Sequence, residues 1–355
     1  MRRSRPAACP SVSPRLLGGR CASTLPIALL LLPVVAVVLA SPAVALAQSR
    51  TGQAEPATGD TTGLNDLSPA ELFLRASSSA LQFQHMRAPS RRVLVRQHDR
   101  TLPYLVTKLD TDDARERHAL EDVLVRIGQP AVQPLLRAFG EELERTDTSR
   151  GARMAATALG RLADPEAIAA LPAGGDHGDW KVRSATASAL GRIAHPDAAG
   201  PLLTLIEDPN EMVRKSAVVG LARVAEADSA ALDDEAMAGL CAAFDDGYYA
   251  VRFGAARALA ACGERALDLL EETIEGGAER PRLLAIETLG RVATHDARAL
   301  LRGLARSPSW IARAHVARAL GAADPGDAEI ATLRELALDT HPLVATSARE
   351  ALSPQ

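Results

Sequence analysis

Aromatic side chains make up only 3% of the 355 residues, so large rings cannot supply the core. It must be built from Ala, Leu and Val, within a hydrophobic fraction of 47%. Long alternating β-branched runs are missing, which excludes an extensive sheet. No HExxH occurs, no histidine is followed by glutamate, and GxSxG, GxxxxGK and a strand-led GxGxxG are absent. The usual signatures of zinc hydrolysis, serine hydrolysis and phosphate binding are therefore not there to carry chemistry. Of four cysteines, Cys9 and Cys21 fall in an N-terminal targeting segment. Cys241 and Cys262 stand on adjoining helices, too far apart along the axis to bridge, so two separate buried thiols are expected.

What is present is a repeat. In DWKVRSATASALGRI, residues 179–193, Val182, Ala185, Thr186, Ala189, Leu190 and Ile193 fall on one face of a helix, with Asp179 placed as its N-cap. The same phase recurs at Leu124, Leu159, Leu190, Leu221, Leu259, Leu289, Leu320 and Leu352, at intervals of 35, 31, 31, 38, 30, 31 and 32 residues. Seven residues before this leucine stand Arg117, Arg183, Arg214, Arg252, Arg282 and Arg313. Asp113, Asp179, Asn210 and Ser309 stand four before that column, where a helix start needs a side-chain acceptor. A second apolar run follows each unit: AVQPLLRAF, EAIAALPA, AAGPLLTLI, RALDLLEETI, ARALLRGLA and EIATLRELAL. Asp164-Pro165 and His195-Pro196 mark the turns between the two runs. One such unit cannot bury its own apolar face and must stack on neighbours. The fold class is all-α: a solenoid of stacked antiparallel helix pairs, about eight of them with irregular ends.

The VRxxAxxALGRI pattern, with a polar cap before it and a second helix after it, resembles the HEAT-like repeat family, particularly the short type first recognised in phycobilisome lyases. The resemblance covers about Thr101 to Leu352 and implies the fold. It implies less about activity, because scaffolds, lyases, metal-dependent hydroxylases and a DNA glycosylase share such repeats. The hydroxylases carry His-Glu pairs that supply iron ligands, and this sequence has none.

Residues 1–47 read as a signal peptide. Arg2, Arg3, Arg5, Arg15 and Arg20 precede an uncharged stretch, residues 25–46, that ends in Ala45-Leu46-Ala47. Cleavage before Gln48 gives a periplasmic or extracellular protein. The alternative is an uncleaved membrane anchor formed by residues 25–46. Removing five arginines takes the formal charge from −4 to −9, which disfavours nucleic acid as a partner. Residues 48–67 read as a flexible leader, 68–110 as an N-terminal helical cap opened by the capping box Ser68-Pro69-Ala70-Glu71, and 111–355 as the array with a C-terminal capping helix. Within the cap, helices are expected over residues 68–85 and 91–98. Insertions at 140–150 and 225–235 lengthen two intervals.

No catalytic, cofactor-binding or metal-binding residue is assigned. Asp176, His177 and Asp179 form the one local cluster of metal-ligand types, and Asp179 is already explained as a cap. The arginine column reads as a stacking device in which each guanidinium bonds carboxylates or helix carbonyls of a neighbouring repeat. Trp180, Tyr249 and Trp310 share one phase, and Phe244, Tyr248 and Phe253 cluster near the middle one; exposed together they would make binding anchors, whereas as residues just inside a helix start they are expected to pack on the adjacent repeat. The function this supports is an exported, non-catalytic scaffold that binds a protein on a concave wall lined by second helices. Gln133, Arg137, Thr204, Glu207, Arg298 and Arg302 are the candidate contacts. The resemblance also permits a tetrapyrrole-handling, lyase-like protein, and less readily a DNA glycosylase-like one.

Overall fold

The computed structural model describes residues 63–145, 149–276, 278–322 and 324–353. The signal peptide or anchor and most of the leader lie outside the described residues. Among these there are seventeen α-helices and no strand. Helices α1 (Pro69–Ser77), α2 (Arg87–Arg96) and α3 (His98–Val106) come first. The first helices of the repeats are α4 (Ala114–Ile127), α6 (Arg150–Leu162), α7 (Trp180–Ile193), α9 (Glu211–Ala227), α11 (Tyr249–Cys262), α13 (Glu279–Val292), α15 (Trp310–Gly321) and α17 (Pro342–Leu352). Second helices α5 (Val132–Leu143), α8 (Ala199–Leu205), α10 (Asp234–Ala242), α12 (Leu267–Gly276), α14 (His295–Leu304) and α16 (Asp327–Leu336) alternate with them. No described helix is long and apolar enough to cross a membrane.

The helix starts are set locally. Side chains of Asp113, Asp179, Asn210 and Ser309 accept hydrogen bonds from first-turn N–H groups, and Ser68 and Glu71 form the reciprocal capping box. Packing then takes over. Consecutive first helices lie against one another along the whole series, burying Leu124, Leu159, Leu190, Leu221, Leu259, Leu289 and Leu320 almost completely. Small residues allow this close approach: a Cβ at Gly191 would sit 2.3 Å from the Cα of Gly220, and one at Gly290 would sit 2.9 Å from the Cα of Ala319.

The structure departs from the sequence reading in three places. EAIAALPA is not an α-helix but two short 3₁₀ segments, Pro165–Ala169 and Leu171–Asp176. Pro172 cannot donate to the helix ladder, and Gly174 is packed so tightly that an added Cβ would meet the Phe139 ring at 2.8 Å. In the cap, α1 stops at Ser77, where Ser78 turns extended, and residues 81–86 form a separate 3₁₀ turn, while α2 starts at Arg87, ahead of Pro89. The insertion at 225–235 is partly helical: α9 runs on to Ala227, a 3₁₀ turn spans Ser229–Ala231, and α10 begins at Asp234.

Two substitutions test this packing. Ala163, Ala194 and Ala293 end α6, α7 and α13 with φ near 53°, a left-handed conformation that costs a Cβ-bearing residue about 1 kcal/mol. Ala194→Gly is expected to raise stability by roughly that amount in urea unfolding, less if Gly entropy in the unfolded chain offsets it. Gly191→Ala is expected to lower it by about 1–3 kcal/mol, since two backbones must part. A neutral Gly191→Ala would show that the α7–α9 seam is not sterically limited.

Candidate functional site

The arginine column forms a ladder. In α7, Arg183 grips Asp208 with Nε at 2.6 Å and Nη2 at 3.0 Å, while Nη1 donates to the carbonyls of His177 and Gly178. Arg214 does the same with Asp246 (2.6 and 3.2 Å) and the carbonyls of Asp208 and Pro209. Arg313 does so with Asp339 (2.7 and 3.1 Å) and the carbonyls of Ser307 and Pro308. Each aspartate also accepts the N–H of the next cap residue, Asn210, Tyr248 or His341. A rung thus fastens a first helix to the turn that launches the next one. Arg117 donates to the Asp112 carbonyl at 2.6 Å and Arg282 to the Ile274 carbonyl at 2.9 Å. Arg252 bonds the carbonyls of Asp246 and Gly247 but makes no hydrogen bond to a carboxylate among the described residues, its nearby charge only helping to lower Asp246. The aspartates carry a signal of their own in the sequence: each stands two residues before a helix cap.

Electrostatics follow from the geometry. The Arg313 fork holds the Asp339 carboxyl below its ordinary value. Burial pushes Asp208 and Asp246 the other way, but the forks of Arg183 and Arg214 with the cap N–H bonds outweigh it, and both are lowered.

The candidate contacts on the second helices fall into two groups. Gln133 donates to Glu166 at 2.9 Å, and Arg302 and Arg298 both face the buried Glu329, Arg298 at 3.9 Å. These three side chains are engaged in joining neighbouring repeats. Arg137 and Glu207 are exposed and line grooves, and the Thr204 hydroxyl donates to its own helix at Gly200. Sequence reasoning missed the acidic side chains nearby. Between α12 and α14 a groove of about 580 Å³ has Ile274 and Leu300 in its floor, Asp268, Glu271, Glu275 and Asp296 around it, and no basic side chain. Between α8 and α10 a second groove, about 490 Å³, combines Leu203 and Ile206 with Glu207, Glu235 and Asp246.

The aromatic residues also divide. Phe244 is fully buried, and Trp310 stacks on His341 of the next repeat at 3.9 Å. Tyr249 and Phe253 instead stack on each other at 6.0 Å and stay 66% and 41% exposed. They line a third groove, about 620 Å³, on the first-helix side between α11 and α13. Asp179, which caps α7, accepts from the Ser149 hydroxyl, and His177 Nδ1 accepts the Asp179 N–H. No cluster of three metal-ligating side chains occurs among the described residues. Cys241 and Cys262 are free thiols; burial, opposed by Arg265, pushes Cys262 up to about 11.

A rung aspartate with a lowered pKa stabilises the fold above the ordinary Asp value, and that contribution is lost as pH falls below about 4 toward the folded-state value. Wild-type stability should therefore fall below pH 4. Asp208→Asn should cost about 1.5–3 kcal/mol at pH 7 and flatten part of the acid limb. An acid limb that Asp208→Asn leaves unchanged would contradict the assignment.

A family model described as HEAT repeats matches residues 173–234 and 269–353. No curated protein matches by sequence. Among solved structures, importin beta in an ammonium sulfate condition is 15% identical with a TM-score of 0.51, covering 80% of this chain and 44% of that one. Human deoxyhypusine hydroxylase in complex with glycerol is 22% identical, with 74% and 98% coverage and a TM-score of 0.33. An engineered protein is 20% identical, with 83% and 96% coverage and a TM-score of 0.40. The helix pairs and their stacking make this chain an all-α solenoid, in which residues 173–234 and 269–353 match the HEAT-repeat model.

Proposed function

We propose that this protein is an exported, non-catalytic scaffold that holds a protein partner along its second-helix face, the concave wall in solenoids of this kind. The observation that carries this reading is the pair of apolar grooves ringed by Asp and Glu between α8 and α10 and between α12 and α14. Such grooves fit a partner segment that places apolar side chains on the floor and Lys or Arg at the rim. This moves the contact surface away from Gln133, Arg298 and Arg302, which join repeats, and keeps Glu207. Export rests on the basic and apolar N-terminal segment, with the mature protein either released before Gln48 or held by residues 25–46.

The test is affinity capture from the exported fraction of the source cells with wild type and with Glu271→Lys/Glu275→Lys. A basic protein retained by wild type, lost from the variant and released as salt is raised supports the proposal. A capture pattern identical for the two baits contradicts it.

A further inference from the structure

In three repeats the column arginine is held by two backbone carbonyls and closes on an aspartate from the following turn. Arg252 has the same two carbonyl bonds, to Asp246 at 2.7 Å and Gly247 at 3.1 Å. The position that supplies Asp208, Asp246 and Asp339, two residues before the next cap, is here Gly276, two residues before Ala278. A Cβ built at Gly276 meets nothing within 4 Å, and Ala278 has no side-chain cap to offer the start of α13. The guanidinium is therefore set for a forked carboxylate that the described residues do not provide.

The surroundings show what kind of molecule would bring one. Arg252 opens on the 620 Å³ groove between α11 and α13, and its guanidinium lies 5.6 Å from the Tyr249 ring centre. Phe253 stacks on Tyr249, and Arg291 lies 4.5 Å over the far ring. The groove's own carboxylates are mostly engaged: Glu287 with His315 at 3.0 Å and Arg318 at 3.2 Å, Asp245 with Arg280 at 3.4 Å. Arg252 and Arg291 therefore face a ligand as cations beside exposed rings, the arrangement that takes an anion next to a flat or apolar group.

We propose that the groove between α11 and α13 is a second binding surface, for an acidic segment of a partner protein whose Asp or Glu closes on Arg252 while a neighbouring apolar side chain covers Tyr249 and Phe253. The incoming carboxylate takes the place that Asp208 takes on Arg183, with the Ala278 N–H as its third donor. This surface lies on the first helices and is independent of the acidic grooves on the second helices.

The test uses the full mature chain and two fluorescein-labelled probes, Gly-Asp-Phe-Asp-Phe-Asp-Gly amide and the same peptide with Asn for each Asp, read by anisotropy. The wild type should favour the Asp probe by about tenfold. Gly276→Asp, which supplies the missing carboxylate from within, should abolish that preference with helicity unchanged. Glu271→Lys/Glu275→Lys should leave it intact, which separates failure of this site from failure of the second-helix reading. Equal affinity for both probes, or a preference that survives Gly276→Asp, overturns the proposal. Self-association that Gly276→Asp abolishes would also overturn it, by placing a second copy's carboxylate on Arg252.

Discussion

The bond between a first-helix arginine and the aspartate of the following turn is the directional constraint at three seams of the array, α7 to α9, α9 to α11 and α15 to α17. Burial of apolar surface is itself non-directional, so a directional bond adds to what packing sets between neighbouring helix pairs. A guanidinium has one plane and one fork, and Asp208, Asp246 and Asp339 each hold a cap N–H as well. Each rung therefore ties three elements at once: the first helix, the turn after the second helix, and the start of the next first helix. Burial raises the value of these bonds, since the side chains of Asp208 and Arg183 are only 5% and 14% exposed.

Close packing works together with the rungs. Where Gly191 meets Gly220 and Gly290 meets Ala319, backbones approach to distances that no larger residue allows. Where α11 meets α13, Ala260 stands at the position held by Gly191 in α7 and Gly290 in α13. This seam also lacks its aspartate. The missing aspartate at Arg252 and an aromatic groove thus coincide, and a break in the stacking device becomes a surface with its own chemistry. On the other row, short second helices separated by acidic grooves give a different surface with the opposite charge.

Much of this was legible in the sequence because it is local. The helical phase, the caps at Asp113, Asp179, Asn210 and Ser309, and the arginine column all depend on residues within one or two turns. The 3₁₀ replacement at residues 165–176 was less legible, since an apolar run with one proline reads as a helix until Gly174 is seen wedged against Phe139. The pairing of Arg298 and Arg302 across repeats was not legible for a related reason. Their partner Glu329 lies about thirty residues away, and only the stacking of α14 on α16 brings it near. The outward turn of Tyr249 and Phe253, against the inward packing of Phe244, is likewise a result of tertiary packing that phase does not reveal.

The most direct measurement of the account is a double-mutant cycle at the open rung, comparing wild type, Gly276→Asp, Arg252→Ala and the double variant by urea unfolding at pH 7. If Arg252 is set to receive a carboxylate as Arg183, Arg214 and Arg313 do, Gly276→Asp stabilises the chain only when Arg252 is present, with a coupling of about 1.5–3 kcal/mol. A coupling near zero would mean that Arg252 is not set to receive a carboxylate, and the rung would cease to be the unit on which the array is built.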